Sequence, residues 1–253
     1  MLSLYLVPAD SLSLHSVGTR FEIAGDEAHH IARVVRHKVG DRIWVSNGEG
    51  LRLTARIDQI DRGSINLIVE EIASMERAIP SLRVMQALTK SDRAHECVEL
   101  LVASGVDEII PWSADRSIGK WDEKNSPPKW NEWIRGAVKQ TRRSWIPKLG
   151  LHQRDLSMVI SPDKDSSQLF IALHEEGTLH LDRTLFETMQ EQVDVASIIT
   201  LIIGPEGGLS DRELELLDAA GVLRVQLGRP IFRSAHAGAI ALASLQASFG
   251  LWR

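Results

Sequence analysis

The sequence predicts an α/β protein: a parallel sheet covered by helices over residues 80–253, preceded by a small β-rich module over residues 1–73. Two observations lead there. From residue 82 onwards short, β-branched apolar runs alternate with segments of helical period, the pattern of repeated βα units. Before residue 73 the apolar runs are shorter and are punctuated by turn residues, among them Asn47-Gly48 and Asp61-Arg62-Gly63, which read as hairpin connections. The stretch 73–80, polar and ended by Pro80, suits a linker.

In the first module strands are expected over 4–7, 21–23, 42–45, 51–60 and 64–71, with one helix over 26–37. That helix is amphipathic, with Ala28, Ile31, Val34 and Val35 on its apolar side. His29, Arg33, Arg36 and His37 recur at helical spacing opposite, either as a solvated face or as a basic ridge facing RNA. Between Glu27 and Asp41 there is no acidic residue.

In the second region a strand over 82–88 leads to a helix over 92–103, whose apolar stripe is Ala94, Cys97, Val98, Leu101 and Val102 and which Ser104-Gly105 closes. A strand over 107–112 follows, then a loop through Asn125-Ser126-Pro127-Pro128 and a helix over 130–141. Strands over 169–173, 197–203 and 222–227 alternate with helices over 182–192, 211–219 and 234–249. The last helix is crowded with small residues: Ala235, Ala237, Gly238, Ala239, Ala241, Ala243 and Ala247. Something approaches it closely, be it its own sheet, a second subunit or a threaded chain.

A net charge of −5 argues against indiscriminate coating of nucleic acid, yet basic residues cluster locally. A second group, Lys139, Arg142, Arg143 and Lys148, surrounds Trp145 and suits a phosphate backbone. No apolar run approaches the ~20 residues of a membrane span, and the N-terminus lacks signal-peptide features, so no membrane partner and a cytoplasmic location are expected. The single cysteine, Cys97, allows no intramolecular disulfide, and the scattered histidines suggest no metal site.

The most informative stretch is 203–210, Ile-Gly-Pro-Glu-Gly-Gly-Leu-Ser, where an apolar strand empties into a glycine turn and then a helix. Its glycines admit close backbone approach, and Ser210 with Glu213 reads as a capping box. It matches neither nucleotide-binding glycine signature, and Glu206 would repel a phosphate but suit a cation such as a sulfonium. A second strand-to-helix turn, 227–234, Leu-Gly-Arg-Pro-Ile-Phe-Arg-Ser, lies twenty residues on.

Gly204-Pro205-Glu206-Gly207-Gly208, Leu227-Gly228 and Ile231-Phe232-Arg233 together resemble the C-terminal motifs of SPOUT-class RNA methyltransferases, most closely the bacterial 16S ribosomal RNA uracil-N3 methyltransferase family. The resemblance extends over most of the chain. His29-His30-Ile31-Ala32-Arg33-Val34-Val35-Arg36 with Gly40-Asp41 resembles that family's N-terminal domain. Lys90-Ser91-Asp92-Arg93, Asp115-Arg116-Ser117 and Gln140 with Arg143 and Pro147 resemble its middle. It implies a PUA-like β-barrel RNA-binding domain over 1–73 and a methyltransferase domain over 80–253 with a deep trefoil knot, paired across the knot as a homodimer. It further implies S-adenosylmethionine held by Leu173, His174, Ile203, Gly204, Gly208, Leu227, Gly228, Ile231, Phe232 and Arg233. The substrate would be 16S rRNA of the small ribosomal subunit, gripped by Arg33, Arg36, Lys90, Arg93, Arg116, Lys139, Arg142 and Arg143.

Methyl transfer needs an oriented, deprotonated nucleophile, and Arg233 is the residue expected to stabilise a uracil anion, being permanently charged and rigid in its donor fork. His236, one turn on, suits either a general base or helix packing. Where the family commonly continues Arg-Thr-Glu-Thr-Ala, this chain has Arg233-Ser234-Ala235-His236-Ala237, and the usual Lys and Glu before Gly105 are Leu100 and Ala103. Methylation at another position, such as a ribose 2′-hydroxyl, and a non-catalytic RNA-binding or ribosome-assembly role are the rival readings.

Overall fold

In a computed structural model, which describes residues 2–12, 15–160, 167–177, 179–181 and 183–251, the chain divides into two compact units. The first holds Met1–Arg77 and also Val138–Ile146; the second holds Ala78–Ala137 and Pro147–Arg253. The sequence offers no composition break at 138 or 146, and a contiguous division at the linker misses this excursion.

The first unit is a five-stranded sheet in the order β1-β3-β4-β5-β2: β1 Leu4–Leu6, β2 Arg20–Ala24, β3 Arg42–Ser46, β4 Leu51–Ile60 and β5 Ser64–Ser74. Both predicted turns join antiparallel pairs. Asn47 closes the first by accepting from the backbone N–H groups of Glu49 and Leu51 through its side-chain oxygen. Two register shifts in the β4–β5 pair bend the hairpin around a core of Tyr5, Leu12, Ile31, Ile43, Val45, Leu53, Ile57 and Leu67.

The predicted helix over 26–37 is shorter and changes type. It is α-helical only over α1, Asp26–His29, and continues as a wider π turn over His30–Val35. Arg36 then ends it in the left-handed region at φ 61°. The wider winding keeps Ile31 buried but leaves Val34 and Val35 exposed, contrary to the apolar side the 3.6-residue period assigned them.

The second unit carries the predicted parallel sheet, seven strands in the order β10-β12-β9-β11-β6-β7-β8. These are β6 Ser81–Ala87, β7 Glu108–Trp112, β8 Lys148–Leu149, β9 Gln168–Leu173, β10 Leu179–His180, β11 Ile198–Ile203 and β12 Leu223–Gln226. Every pairing is parallel. The two-residue edge strands β8 and β10 are too short to be legible as apolar runs.

The helices are α2 Ser91–Ala103, α3 Ser126–Thr141, α4 Arg183–Val195, α5 Asp211–Ala219 and α6 Ser234–Ser248. Asp182, expected to start α4, lies outside the described residues. Ser126, Pro127 and Pro128, expected as loop, form the first turn of α3, where a proline has no helical N–H to forfeit. The stripe Ala94, Cys97, Val98, Leu101 and Val102 of α2 is buried as expected, and burial pushes the Cys97 thiol up to about 12.

Close packing within the chain accounts for Gly238 of α6. A Cβ at Gly238 would lie 2.9 Å from Leu101 of α2 and 3.4 Å from Ile203 and Val84, so α6 rests directly on α2 and on strands β6 and β11. Among the described residues no helix is long and apolar enough to cross a membrane.

Candidate active site

Strands β12, β9 and β11 are neighbours and end in register, with Val225 opposite Leu173 and Leu173 opposite Ile203. Chains leaving the carboxyl ends of parallel strands diverge to opposite faces, and the crevice between them is where open α/β sheets receive ligands. Here the crevice is a cavity of about 710 Å³, within the usual range for a small-molecule site. All ten residues named for the cofactor line it: Leu173, His174, Ile203, Gly204, Gly208, Leu227, Gly228, Ile231, Phe232 and Arg233.

The glycine loop is held from beneath by side chains that the motif does not contain. The Trp112 indole donates to the Ile203 carbonyl at 3.1 Å, and the Ser234 hydroxyl donates to the Gly204 carbonyl at 2.6 Å. Gln86, 1% exposed in β6, donates to the Ser234 oxygen at 3.0 Å, so a buried relay runs from the central sheet to the loop. Arg116 donates from Nη1 to the carbonyls of Gly207 and Leu209, both at 3.2 Å. Gly208 itself takes φ 74°, a backbone conformation that a side chain would strain.

Beyond the loop the predicted capping box is present. Ser210 accepts from the Glu213 N–H at 3.2 Å, and Glu213 accepts from the Ser210 N–H at 2.8 Å. The other oxygen of the buried Glu213 carboxylate accepts from the Asp115 N–H at 2.8 Å, which fastens the segment after β7 to the start of α5. Asp115 in turn accepts from Ser210 at 2.6 Å and from both Nε and Nη2 of Arg212. The Arg212 fork and the Ser210 hydroxyl hold the Asp115 carboxyl below the usual carboxylate range.

The cavity carries both signs of charge. Glu206 and Glu175 line it, and so do Arg93, Arg229 and Arg233. Arg93 Nη1 stands 3.8 Å from a Glu206 oxygen. Arg233 is exposed and immediately precedes α6, so its guanidinium and the positive end of the helix raise the potential in the same place. The Glu176 N–H donates to His174 Nδ1 at 3.2 Å.

The remaining sequence candidates separate by environment. Arg33 and Arg36 are exposed in the first unit, and Arg142 and Arg143 there are half-buried. Lys139 makes an ion pair with Glu27. In the second unit Lys90 is exposed just before α2, Arg93 lines the cavity and Arg116 braces the glycine loop. His236 Nε2 is 3.0 Å from Glu96, and this places it in the contact between α6 and α2. Among the described residues no group of three or more His, Cys, Asp or Glu is placed to hold a metal.

Sequence reasoning missed Gln86, Trp112, Glu175, His180 and Arg229. Gln86 had a readable signal, a polar residue inside the apolar run Leu82-Arg83-Val84-Met85-Gln86-Ala87-Leu88. Trp112 had none, because an apolar residue at a strand end is ordinary.

The fold and cavity thus define an α/β protein with a cofactor-sized site at the ends of three parallel strands. Residues 76–246 match the family model of an RNA methyltransferase domain, and residues 23–70 match an RNA methyltransferase PUA domain. The first match spans well over half of the chain, and the chain belongs to the RNA methyltransferase family.

Among its relatives, ribosomal RNA small subunit methyltransferase E of Mycobacterium tuberculosis is 29% identical over 249 residues, covering 95% of this chain and 91% of the relative. The Bacillus subtilis protein of the same name is 25% identical over 229 residues, covering 89% of each. The fold matches that of a ribosomal RNA small subunit methyltransferase E from Neisseria gonorrhoeae solved with S-adenosylmethionine bound. Its TM-score is 0.81 at 20% identity, over 98% of both chains. A Legionella pneumophila structure, also with that cofactor, gives a TM-score of 0.78 at 24% identity over 98% of both.

Proposed function

We propose that the protein transfers a methyl group from S-adenosylmethionine to N3 of a uridine in 16S rRNA of the small ribosomal subunit. The observation that carries the reading is the joint one: all ten residues expected to hold the cofactor line a single cavity, and Arg233 stands at its rim where a helix begins. Support also comes from relatives named for the small-subunit RNA and from similar folds solved with the cofactor.

The residues present fit that cofactor. Gly204 and Gly208 offer backbone with no side chain, and the apolar Leu173, Ile203, Leu227 and Phe232 suit an adenine. Glu206 and Glu175 put carboxylates where a sulfonium would be welcome. When bound, the cofactor supplies a methyl group already activated on sulfur. The chain's own task is to orient the uracil and favour its N3 anion. Arg233 does this by donating to a carbonyl oxygen beside N3, where negative charge develops as the N3 proton passes to solvent water. On this reading the first unit is the RNA-binding module, the two strand-end turns belong to a trefoil knot, and two chains pair across it.

The test is incubation with S-adenosylmethionine and small subunits lacking native methylations, then mass analysis of the nucleosides. 3-Methyluridine is expected, and Arg233→Ala should abolish it even with the cofactor raised to saturation. A 2′-O-methylated product would assign a different target, and no product despite cofactor binding would sink the assignment of substrate. Light scattering of the purified chain checks the dimer.

A further inference from the structure

The cations of the first unit fall into two groups. Arg20 pairs with Asp58, Arg42 with Glu70 and Glu71, Arg56 with Glu70, and Lys139 with Glu27. A cation already neutralised by a carboxylate has little to offer a phosphate. Arg52 and Arg77 lie over the Trp44 and Trp145 rings and Lys38 neighbours Asp41, while among the described residues Arg33, Arg36 and Arg142, with Arg62 at the β4–β5 turn, have no carboxylate within ion-pair distance. Arg36 and Arg142 also share a backbone feature, left-handed conformations at φ 61° and φ 57°, each just past a helical segment. They are the described non-glycine residues with positive φ.

Arg142 reaches this unit because the segment after α3 is fastened to the turn between β3 and β4. The Gly50 N–H donates to the Ser144 carbonyl at 2.9 Å and the Ile146 N–H donates to the Gly48 carbonyl at 2.8 Å. The Trp145 indole donates to the Met75 carbonyl at 2.8 Å, and the Arg77 guanidinium covers its ring at 4.1 Å. Glycine is required at the turn, since a Cβ on Gly50 would lie 2.6 Å from the Trp145 ring and one on Gly48 would strike Ile146. The Lys139–Glu27 pair ties this segment to α1 a second time. Arg36 directly follows the π turn that continues α1, and Arg142 directly follows α3, the two segments that the Lys139–Glu27 pair joins.

We infer that Arg33, Arg36 and Arg142 form one composite surface that tracks an RNA phosphate backbone, and that Lys139 is a positioning residue that sets its geometry, not a phosphate ligand. This rests on the reading of the first unit as the RNA-binding module. It assigns Lys139 a role different from the one its charge and spacing suggest.

The test measures binding of the full chain to a 16S rRNA transcript across a salt series, with S-adenosylmethionine affinity as the check on folding. Arg33→Gln, Arg36→Gln and Arg142→Gln should each flatten the slope of log Kd against log salt by about 0.7, one phosphate contact on a single strand. Glu27→Gln and Lys139→Met should each weaken binding, and the double variant should be no weaker than either single one. If Lys139 instead held a phosphate, Glu27→Gln would free it and RNA would bind as tightly or more tightly. That outcome, or additive losses in the double variant, overturns the positioning role. An unchanged slope in Arg142→Gln alone overturns the composite surface. Unchanged slopes in all three arginine variants, with cofactor affinity intact, would fail the RNA-module reading itself.

Discussion

Ser234→Ala tests the relay beneath the glycine loop. The hydroxyl donates to the Gly204 carbonyl at 2.6 Å and accepts from the Gln86 amide at 3.0 Å, and both Ser234 and Gln86 are buried. Removing it strips the Gly204 carbonyl of this donor and leaves the Gln86 amide with its bond to the Ala87 carbonyl alone. A buried polar group deprived of its partner costs about 1–3 kcal/mol, and because Gly204 is only half-buried and the Gln86 amide keeps one bond, the two weakened partners together imply a loss of about 1–3 kcal/mol in unfolding free energy. Urea denaturation followed by tryptophan fluorescence reads this directly. Because the loop lines the cavity, calorimetric titration with S-adenosylmethionine should show weaker binding as well. Gln86→Leu in the Ser234→Ala background should recover part of the stability, because it removes the stranded amide. A Ser234→Ala loss below about 0.5 kcal/mol, with cofactor affinity unchanged, would refute the relay.

Other perturbations probe the neighbouring contacts. Glu213→Gln replaces one acceptor by a donor between two N–H groups it now serves, those of Ser210 and Asp115, and should cost about 1–3 kcal/mol in the same denaturation assay. The Asp115 carboxyl is held below its ordinary value by Arg212 and Ser210, so its contribution to stability is fully present above about pH 3.9 and fades as pH falls through the lower folded value. Asp115→Asn should remove that part of the acid sensitivity in a pH series of melting curves. Cys97, buried and raised to about 12, should resist iodoacetamide at pH 8 in the native protein and react once urea unfolds it; fast native labelling would contradict its burial. Gly50→Ala combines a φ of 92° with a Cβ only 2.6 Å from the Trp145 ring, and a thermal melt should show a marked loss.

What the sequence made legible followed from periodicity and local chemistry. Five of the seven strands of the parallel sheet were foreshadowed by apolar runs such as Ile198–Ile203, which must be buried on both faces. The Ser210–Glu213 cap and the Asn47-Gly48 turn are closed by hydrogen bonds within four residues, so their signal is local. The cavity was legible because its lining comes largely from strand-end turns whose glycines are themselves the signal. What escaped is what depends on partners far along the chain. Trp112 and Ile203 are 91 residues apart and Gln86 and Ser234 are 148 apart, and nothing in either local sequence announces the other. The same reason hid the difference between Lys139 and Arg142, which look alike three residues apart in one basic cluster. Only the fold brings Glu27 to the first, and a cation's availability to RNA depends on the carboxylates the chain folds around it as much as on its charge.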